Sequence, residues 1–433
     1  MALRGPAEMK SHLPGTSGSA EPATVMGNVV GFFFSFRVVI VLLSVNLLGA
    51  DPRTGTELNL ACNFFLLGLV WFYSLGAPTC GFASMFEPAT TRWVMIFLTF
   101  SLCSLLWSAT VSLPASLAYW CGTSADVTII VLLLRTHPVT AVASSVMRGF
   151  IWSTCCLALI AWIMPAQPDL RLGNEEFFNA NQIGNLCAFA IFLAQYLMRR
   201  KDGSWGLAAI FLAITLLRSL SKTTLVAFSI SQTFLVIQDR SMRRRTKLLL
   251  SVATALVILA FWGLIEAYYD VYTNAGNQAE TLTGRIGIWA YFLGAALEQP
   301  WLGHGFDSAW KVVPPFGPFE ARHAENELLQ QFYAYGAAGI VLLIALYSSL
   351  YVQLRRMPRG PLRVLFVSLL LFIVVRGLAE AEPFDLLLPL WAIVLMSMLM
   401  DRLRQSGAVA SASESIQAGI GRPLRGESAI GTG

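Results

Sequence analysis

The chain has 433 residues, of which 56% are hydrophobic and 13% charged, with a formal net charge of +5. That is too apolar for a soluble chain, and the two or three domains that its length would suggest are replaced by successive apolar runs. The cations sit in short clusters between those runs and not along a soluble face, which argues against a nucleic-acid partner and for membrane topology.

A bilayer core about 30 Å thick needs about 20 mostly apolar residues per helical span. Such runs predict spans over 29–49, 58–76, 93–112, 113–134, 147–165, 182–198, 204–219, 220–238, 246–266, 332–353, 362–379 and 384–401. The expectation is an all-α polytopic membrane protein with about 12 transmembrane helices. The first run, Val29 to Ala50, is longer than a signal-peptide core and carries Arg37, so it reads as a retained helix. Placing Arg199-Arg200-Lys201, Arg243-Arg244-Arg245, Arg355-Arg356 and Arg402 with Arg404 in the cytoplasm leaves both termini there as well. The chain then divides into a disordered cytoplasmic segment 1–26, helices one to nine over 27–266, a large periplasmic loop 267–331, helices ten to twelve over 332–401, and a disordered tail 402–433.

The loop is the place to look for chemistry. Within it, Thr283 to Glu298 reads as an amphipathic helix with Thr283 as N-cap and Ile286, Trp289, Phe292 and Leu293 at helical spacing, ended by Pro300. None of the seven cysteines lies in the loop, and no Cys or Cys/His spacing suggests a disulfide framework or zinc. No metal and no cofactor are expected.

Cations on the outer side stand against the positive-inside bias, and an ionisable residue at a span costs free energy unless it is paired or used. Arg218 and Lys222 flank the turn Ser219-Leu220-Ser221; Arg285 opens the loop helix; Arg376 lies near the outer end of its span, followed by Glu380 and Glu382. The bland alternative is snorkelling to headgroups. Several guanidinium and ammonium groups at one face suit a diphosphate, Arg as a fork and Lys as a point charge, and a lipid-linked diphosphate is the natural ligand. If the diphosphate leaves, the same cations stabilise the developing charge without a metal. At the end of the loop stands His323-Ala324-Glu325-Asn326, which supplies two candidate bases, His323 and Glu325; a solvated His and a dipole-compensating acid are the plainer readings. His304 is on the same side but within a turn.

Thr281-Leu282-Thr283-Gly284-Arg285-Ile286-Gly287-Ile288-Trp289, Pro300-Trp301-Leu302-Gly303-His304-Gly305-Phe306, and His323-Ala324-Glu325-Asn326 with Gly336 and Gly339 resemble the O-antigen ligase/polymerase family of bacterial membrane glycosyltransferases. Leu106-Trp107-Ser108 with Pro114, Asn179-Ala180-Asn181 with Gly184, and Ser219-Leu220-Ser221-Lys222-Thr223 add weaker matches in the same order. The resemblance implies a GT-C-like helical fold in the bacterial inner membrane. It implies an inverting transfer from an undecaprenyl-diphosphate-linked oligosaccharide to a glycan acceptor on the periplasmic side, with a chain-length regulator as a further partner. By motif position, Lys222 falls where many members carry Arg, Arg285 matches the loop Arg, Asn326 follows the catalytic position, and Asn181 and Ser221 join the binding set. Many members read His-Asn where this chain reads Glu325-Asn326, with His323 two residues earlier, so both stay candidates for the base. Polymerisation of an exopolysaccharide or O-antigen repeat, ligation of O-antigen to a lipid A core, and flipping of the same lipid-linked sugars remain the alternatives.

Overall fold

The computed structural model describes residues 17–76, 86–165, 167, 170–174, 178–240, 244–245, 247, 282–315 and 321–420. Among these the protein is all-helical. In chain order the helices are α1 (Ser17–Phe36), a 3₁₀ turn (Arg37–Val39), α2 (Ile40–Leu48), α3 (Pro52–Leu75), α4 (Ala89–Ser104), α5 (Leu113–Thr136), α6 (Val139–Ile163), α7 (Ala180–Arg199), α8 (Gly206–Arg218), α9 (Lys222–Gln238), α10 (Leu282–Glu298), α11 (Glu327–Arg356), α12 (Pro361–Gly377) and α13 (Leu390–Ile420). Five stretches are long and apolar enough to cross a membrane: Thr24–Leu48, Pro52–Leu75, Leu113–Thr136, Val139–Ile163 and Glu327–Arg356. The other expected spans fall on helices too, of which α8 and α9 are short, at 13 and 17 residues. The span expected over 246–266 lies outside the described residues.

Three expectations need correction. Residues 17–26 and 402–420 are helical, because α1 and α13 extend beyond their apolar parts through runs rich in Ala, Ser and Gln that can carry a helix started by its neighbours. The last helix starts at Leu390 instead of 384; Pro383 and Pro389 hold the preceding chain out of a helix, and Asp385 Oδ1 accepts the Leu390 N–H at 3.2 Å. In the loop, α10 begins at Leu282, one residue before the expected cap, and buries Ile288, Phe292 and Ala296 while Ile286 and Leu293 face outward. The buried face is set by packing against Ala309, Val313, Ala321, Ala324 and Tyr333, which periodicity alone does not reveal.

Close helix packing explains the small residues of α1 and α6. A Cβ on Gly31 would fall 1.9 Å from the Val146 carbonyl oxygen, and one on Gly149 2.0 Å from that of Asn28, so the two backbones touch along a small-residue seam. Arg37, in the 3₁₀ turn between α1 and α2, forms an ion pair with Asp126 of α5, whose other oxygen accepts Asn63 Nδ2 of α3 at 3.0 Å. A half-buried membrane cation is thereby neutralised and locked to two further helices.

The most distinctive packing joins three sequence-distant segments. Gly336 interrupts α11 with φ 63° and ψ −154°, and the carbonyls this frees accept from the loop: His304 N–H to Tyr333 at 3.0 Å and Gly305 N–H to Ala334 at 2.7 Å. In return, Ala337 N–H donates to Pro300 at 2.7 Å. The same loop stretch meets the end of α4, with Ala109 N–H on the His304 carbonyl at 2.8 Å and Phe306 N–H on Ser104 Oγ at 3.0 Å. The Pro300–Phe306, Leu106–Ser108 and Gly336–Gly339 motifs are therefore one interlock, and every freed backbone group named here has a partner.

Candidate active site

The second half of the loop delivers His323 and Glu325 to the end of α12. Glu325 adopts φ 51°, left-handed for a non-glycine residue, and Asn326 then caps α11, its Oδ1 accepting Leu329 N–H at 3.0 Å. Asn326 Nδ2 reaches across to the Leu378 carbonyl at 2.8 Å, and buried Glu327 Oε1 accepts Leu387 N–H at 3.0 Å and the Tyr347 hydroxyl at 3.0 Å. These bonds fasten residues 378–389 to the loop and bring Glu380 and Glu382 beside the His-x-Glu pair.

The result is a compact charged cluster. Arg285 Nη2 lies 3.3 Å from Glu325 Oε2, and Arg376 Nη2 lies 3.8 Å from Glu380 Oε2. His323 Nδ1 lies 3.8 Å from Glu325 Oε1 and accepts the Glu325 backbone N–H at 3.3 Å. His323 and Glu325 both precede the first helical residue and keep their polar atoms 3.8 Å apart, the geometry in which both can take part. Burial pushes the Glu325 carboxyl well above the usual carboxylate range, reinforced by Glu380 and opposed by Arg285 and Arg376. Burial also pulls the His323 imidazole down, against the pull of Glu380 and Glu382, so the ring is neutral in ordinary conditions. With Nδ1 engaged as an acceptor, the proton of that neutral ring belongs on Nε2.

Arg376 is only 2% exposed, and among the described residues its Nε and Nη1 have no hydrogen-bond partner. A buried guanidinium with two unused donors suits an anion with several oxygens. The facing helix brings a second cation to the same end: Phe228 of α9 packs on Phe372 of α12 at 6.4 Å, and the Ser231 carbonyl accepts Ser368 Oγ, so the two helices run antiparallel. Lys222, at the start of α9, therefore lies at the level of the end of α12 where Arg376 stands.

The remaining candidates form a neighbouring group. Asn181 Oδ1 accepts Ser221 Oγ at 2.8 Å and Arg171 Nη2 at 3.1 Å, and Arg218 Nη1 donates to the Leu170 carbonyl at 2.6 Å. Ser221, Asn181 and Arg218 thus brace the turn that presents Lys222. His304 has a structural role, its Nε2 2.9 Å from the Ala295 carbonyl oxygen and its ring stacked on Tyr333 at 4.6 Å. Glu380 and Glu382 were outside the sequence-derived candidate set. Their signal was two acids directly after an outer-end arginine.

Ligand atoms of His323, Glu325 and Glu380 all lie within 4.8 Å of one another, a donor set that a divalent ion could use. Arg285 and Arg376 already sit on the two carboxylates, and a further cation would have to compete with both guanidiniums.

Residues 207–344 match the family model described as O-antigen ligase, a stretch containing Arg218, Lys222, Arg285, His323 and Glu325. The resemblance to the O-antigen ligase/polymerase family holds. An O-antigen ligase of Pseudomonas aeruginosa is 28% identical over 200 residues, 46% of this chain and 47% of that protein. The exopolysaccharide production protein ExoQ of Rhizobium meliloti is 24% identical over 323 residues, 68% of this chain and 73% of that one. The match to the O-antigen ligase thus spans about half of that relative's length.

Proposed function

We propose that this chain is a multi-pass glycosyltransferase of the bacterial inner membrane that moves an oligosaccharide from undecaprenyl diphosphate to a sugar hydroxyl at the periplasmic face, in exopolysaccharide or O-antigen synthesis. The observation that carries this reading is the apposition of Arg285, Arg376, His323, Glu325 and Glu380 at one helix end, with Lys222 at the same level. The acceptor hydroxyl gives its proton to Glu325 as its oxygen attacks the anomeric carbon. The bond from that carbon to the diphosphate breaks with inversion, and the departing anion is held by Arg376, Arg285 and Lys222. Glu325 is the base because its raised pKa makes its ionised form a stronger proton acceptor. His323, whose Nδ1 is engaged, presents Nε2–H as a donor. Arg285 and Arg376 already pair with Glu325 and Glu380, which favours a reaction that uses no metal.

Similarity to a protein named O-antigen ligase favours a second reading, ligation of finished O-antigen to a lipid A core. Purified protein in nanodiscs is to be given the host's lipid-linked oligosaccharide, with and without lipid A core, in the absence of any energy source. Polymerisation predicts longer lipid-linked chains, whereas ligation predicts product only on lipid A core. Movement of the intact lipid-linked sugar across the bilayer without a new glycosidic bond would establish a flippase instead.

A further inference from the structure

Beside the charged cluster lies a separate cavity of about 210 Å³ between α3, α5 and residues 382–385. Its walls carry Asn59, Asn63, Tyr119, Glu382, Phe384 and Asp385, and the Arg37–Asp126 ion pair is part of its lining. Its volume lies below the range of roughly 300–1,000 Å³ usual for drug-sized ligands, which suits a single ring.

The lining has a particular bias. Asn63 is 4% exposed and spends its Nδ2 on the Gly122 carbonyl at 3.1 Å and on Asp126, while its Oδ1 has no donor among the described residues. Asn59 Oδ1 is likewise buried without a donor. Glu382 and Asp385 add acceptor oxygens, whereas the one cation, Arg37, is spent on Asp126. A ligand that satisfies these walls must bring several O–H donors and no negative charge. Tyr119 and Phe384 stack with centroids 4.2 Å apart, and Trp310 packs against both at 6.3 Å, so an aromatic shelf borders the polar wall. An apolar ring face combined with hydrogen-bond acceptors matches the two surfaces of a pyranose. Glu382 lines this cavity and stands two residues from Glu380 of the charged cluster, so a ring seated here lies next to Glu325.

We propose that this cavity binds one uncharged sugar ring of the acceptor glycan and orients its hydroxyl toward Glu325. The assignment rests on the proposed transfer reaction, and gives the acceptor its own subsite beside the charged cluster. A uronate or phosphorylated sugar is disfavoured there, because the one cation of the cavity wall, Arg37, is already paired with Asp126 and leaves the added charge unmatched.

The test uses the full chain in nanodiscs, with single-repeat oligosaccharide released from the host's own surface polysaccharide as acceptor probe and undecaprenyl diphosphate as donor-site probe. The oligosaccharide should quench a part of the tryptophan fluorescence that Trp310→Phe removes. Tyr119→Ala and Asn59→Leu should each raise the half-saturating oligosaccharide concentration at least tenfold and leave undecaprenyl diphosphate binding unchanged. A repeat whose ring carries a carboxylate should bind the wild type weakly, and more tightly once that carboxylate is reduced to the alcohol. Unchanged half-saturation in the variants, or no Trp310-dependent quenching by the oligosaccharide, overturns the subsite. Failure of undecaprenyl diphosphate to bind the wild type would instead overturn the transfer reaction on which it rests.

Discussion

Glu325 is held in a conformation and an environment that do not favour a charged side chain. Its backbone is left-handed, its carboxyl is buried, and Glu380 stands beside it. A carboxyl whose folded pKa is raised contributes stability that is fully present below its unfolded value, about 4.3, and is lost as pH rises through the folded value. Glu325→Gln should therefore melt close to the wild type near pH 4 and above it at neutral pH, while losing about 10²- to 10⁴-fold in activity as a missing general base does. Wild-type kcat/KM should rise with pH through a value above the ordinary carboxylate range, and that limb should be absent from the residual activity of Glu325→Gln. Thermal melts and rate profiles across that range check both; a variant that is both active and no more stable contradicts the assignment. His323→Ala should lose less, because its Nδ1 is already bonded to the Glu325 amide. The His-x-Glu pair, Arg285 and Arg376 were legible as motif and as outside charges. Glu380 was not singled out, because its partnership depends on a bond between Asn326 and the Leu378 carbonyl, more than fifty residues apart in sequence.

At the scale of elements, the interlock around Gly336 decides whether the loop can present the site at all. A Cβ at this position would stand 2.4 Å from the Trp301 carbonyl carbon, and its φ and ψ belong to a region that is essentially glycine's. Gly336→Ala should cost on the order of 1–3 kcal/mol for the backbone alone, with the clash added, and should abolish activity through loss of the folded loop. Gly206→Ala, where a Cβ meets nothing within 4 Å, is the control and should leave the melting temperature nearly unchanged. Equal melting temperatures for the two variants would contradict the interlock. Sequence reading located the glycines and the Pro300–Phe306 motif, but periodicity sees one helix at a time. The exchange of hydrogen bonds between a broken helix and a loop is a tertiary property.

At the scale of the whole molecule, the order of helices followed from apolar runs, and the ends of the helices sort by charge. Arg199 pairs with Asp239 at 2.9 Å and Arg148 with Asp202, so two arginines at one end are held in ion pairs. The other end carries Arg376 beside Glu380 and the loop. Reporter fusions after Lys201 and after Arg359 should read cytoplasmic, and one after Trp310 periplasmic. A cytoplasmic reading at Trp310 would contradict this orientation. Composition could not show how α13 continues to Ile420, since Ala- and Ser-rich sequence suits both a helix and a disordered tail.

The most direct test of the account is release of undecaprenyl diphosphate from the host's lipid-linked oligosaccharide by purified protein, followed in EDTA for the wild type, Arg285→Ala and Arg376→Ala. Loss of a preorganised charge partner in a buried site costs about 10²- to 10³-fold. Full wild-type release in EDTA, with at least a hundredfold loss in each well-folded variant, is the predicted result. Release that stops in EDTA, or proceeds at the wild-type rate in both variants, would contradict a cation-held, metal-independent leaving group.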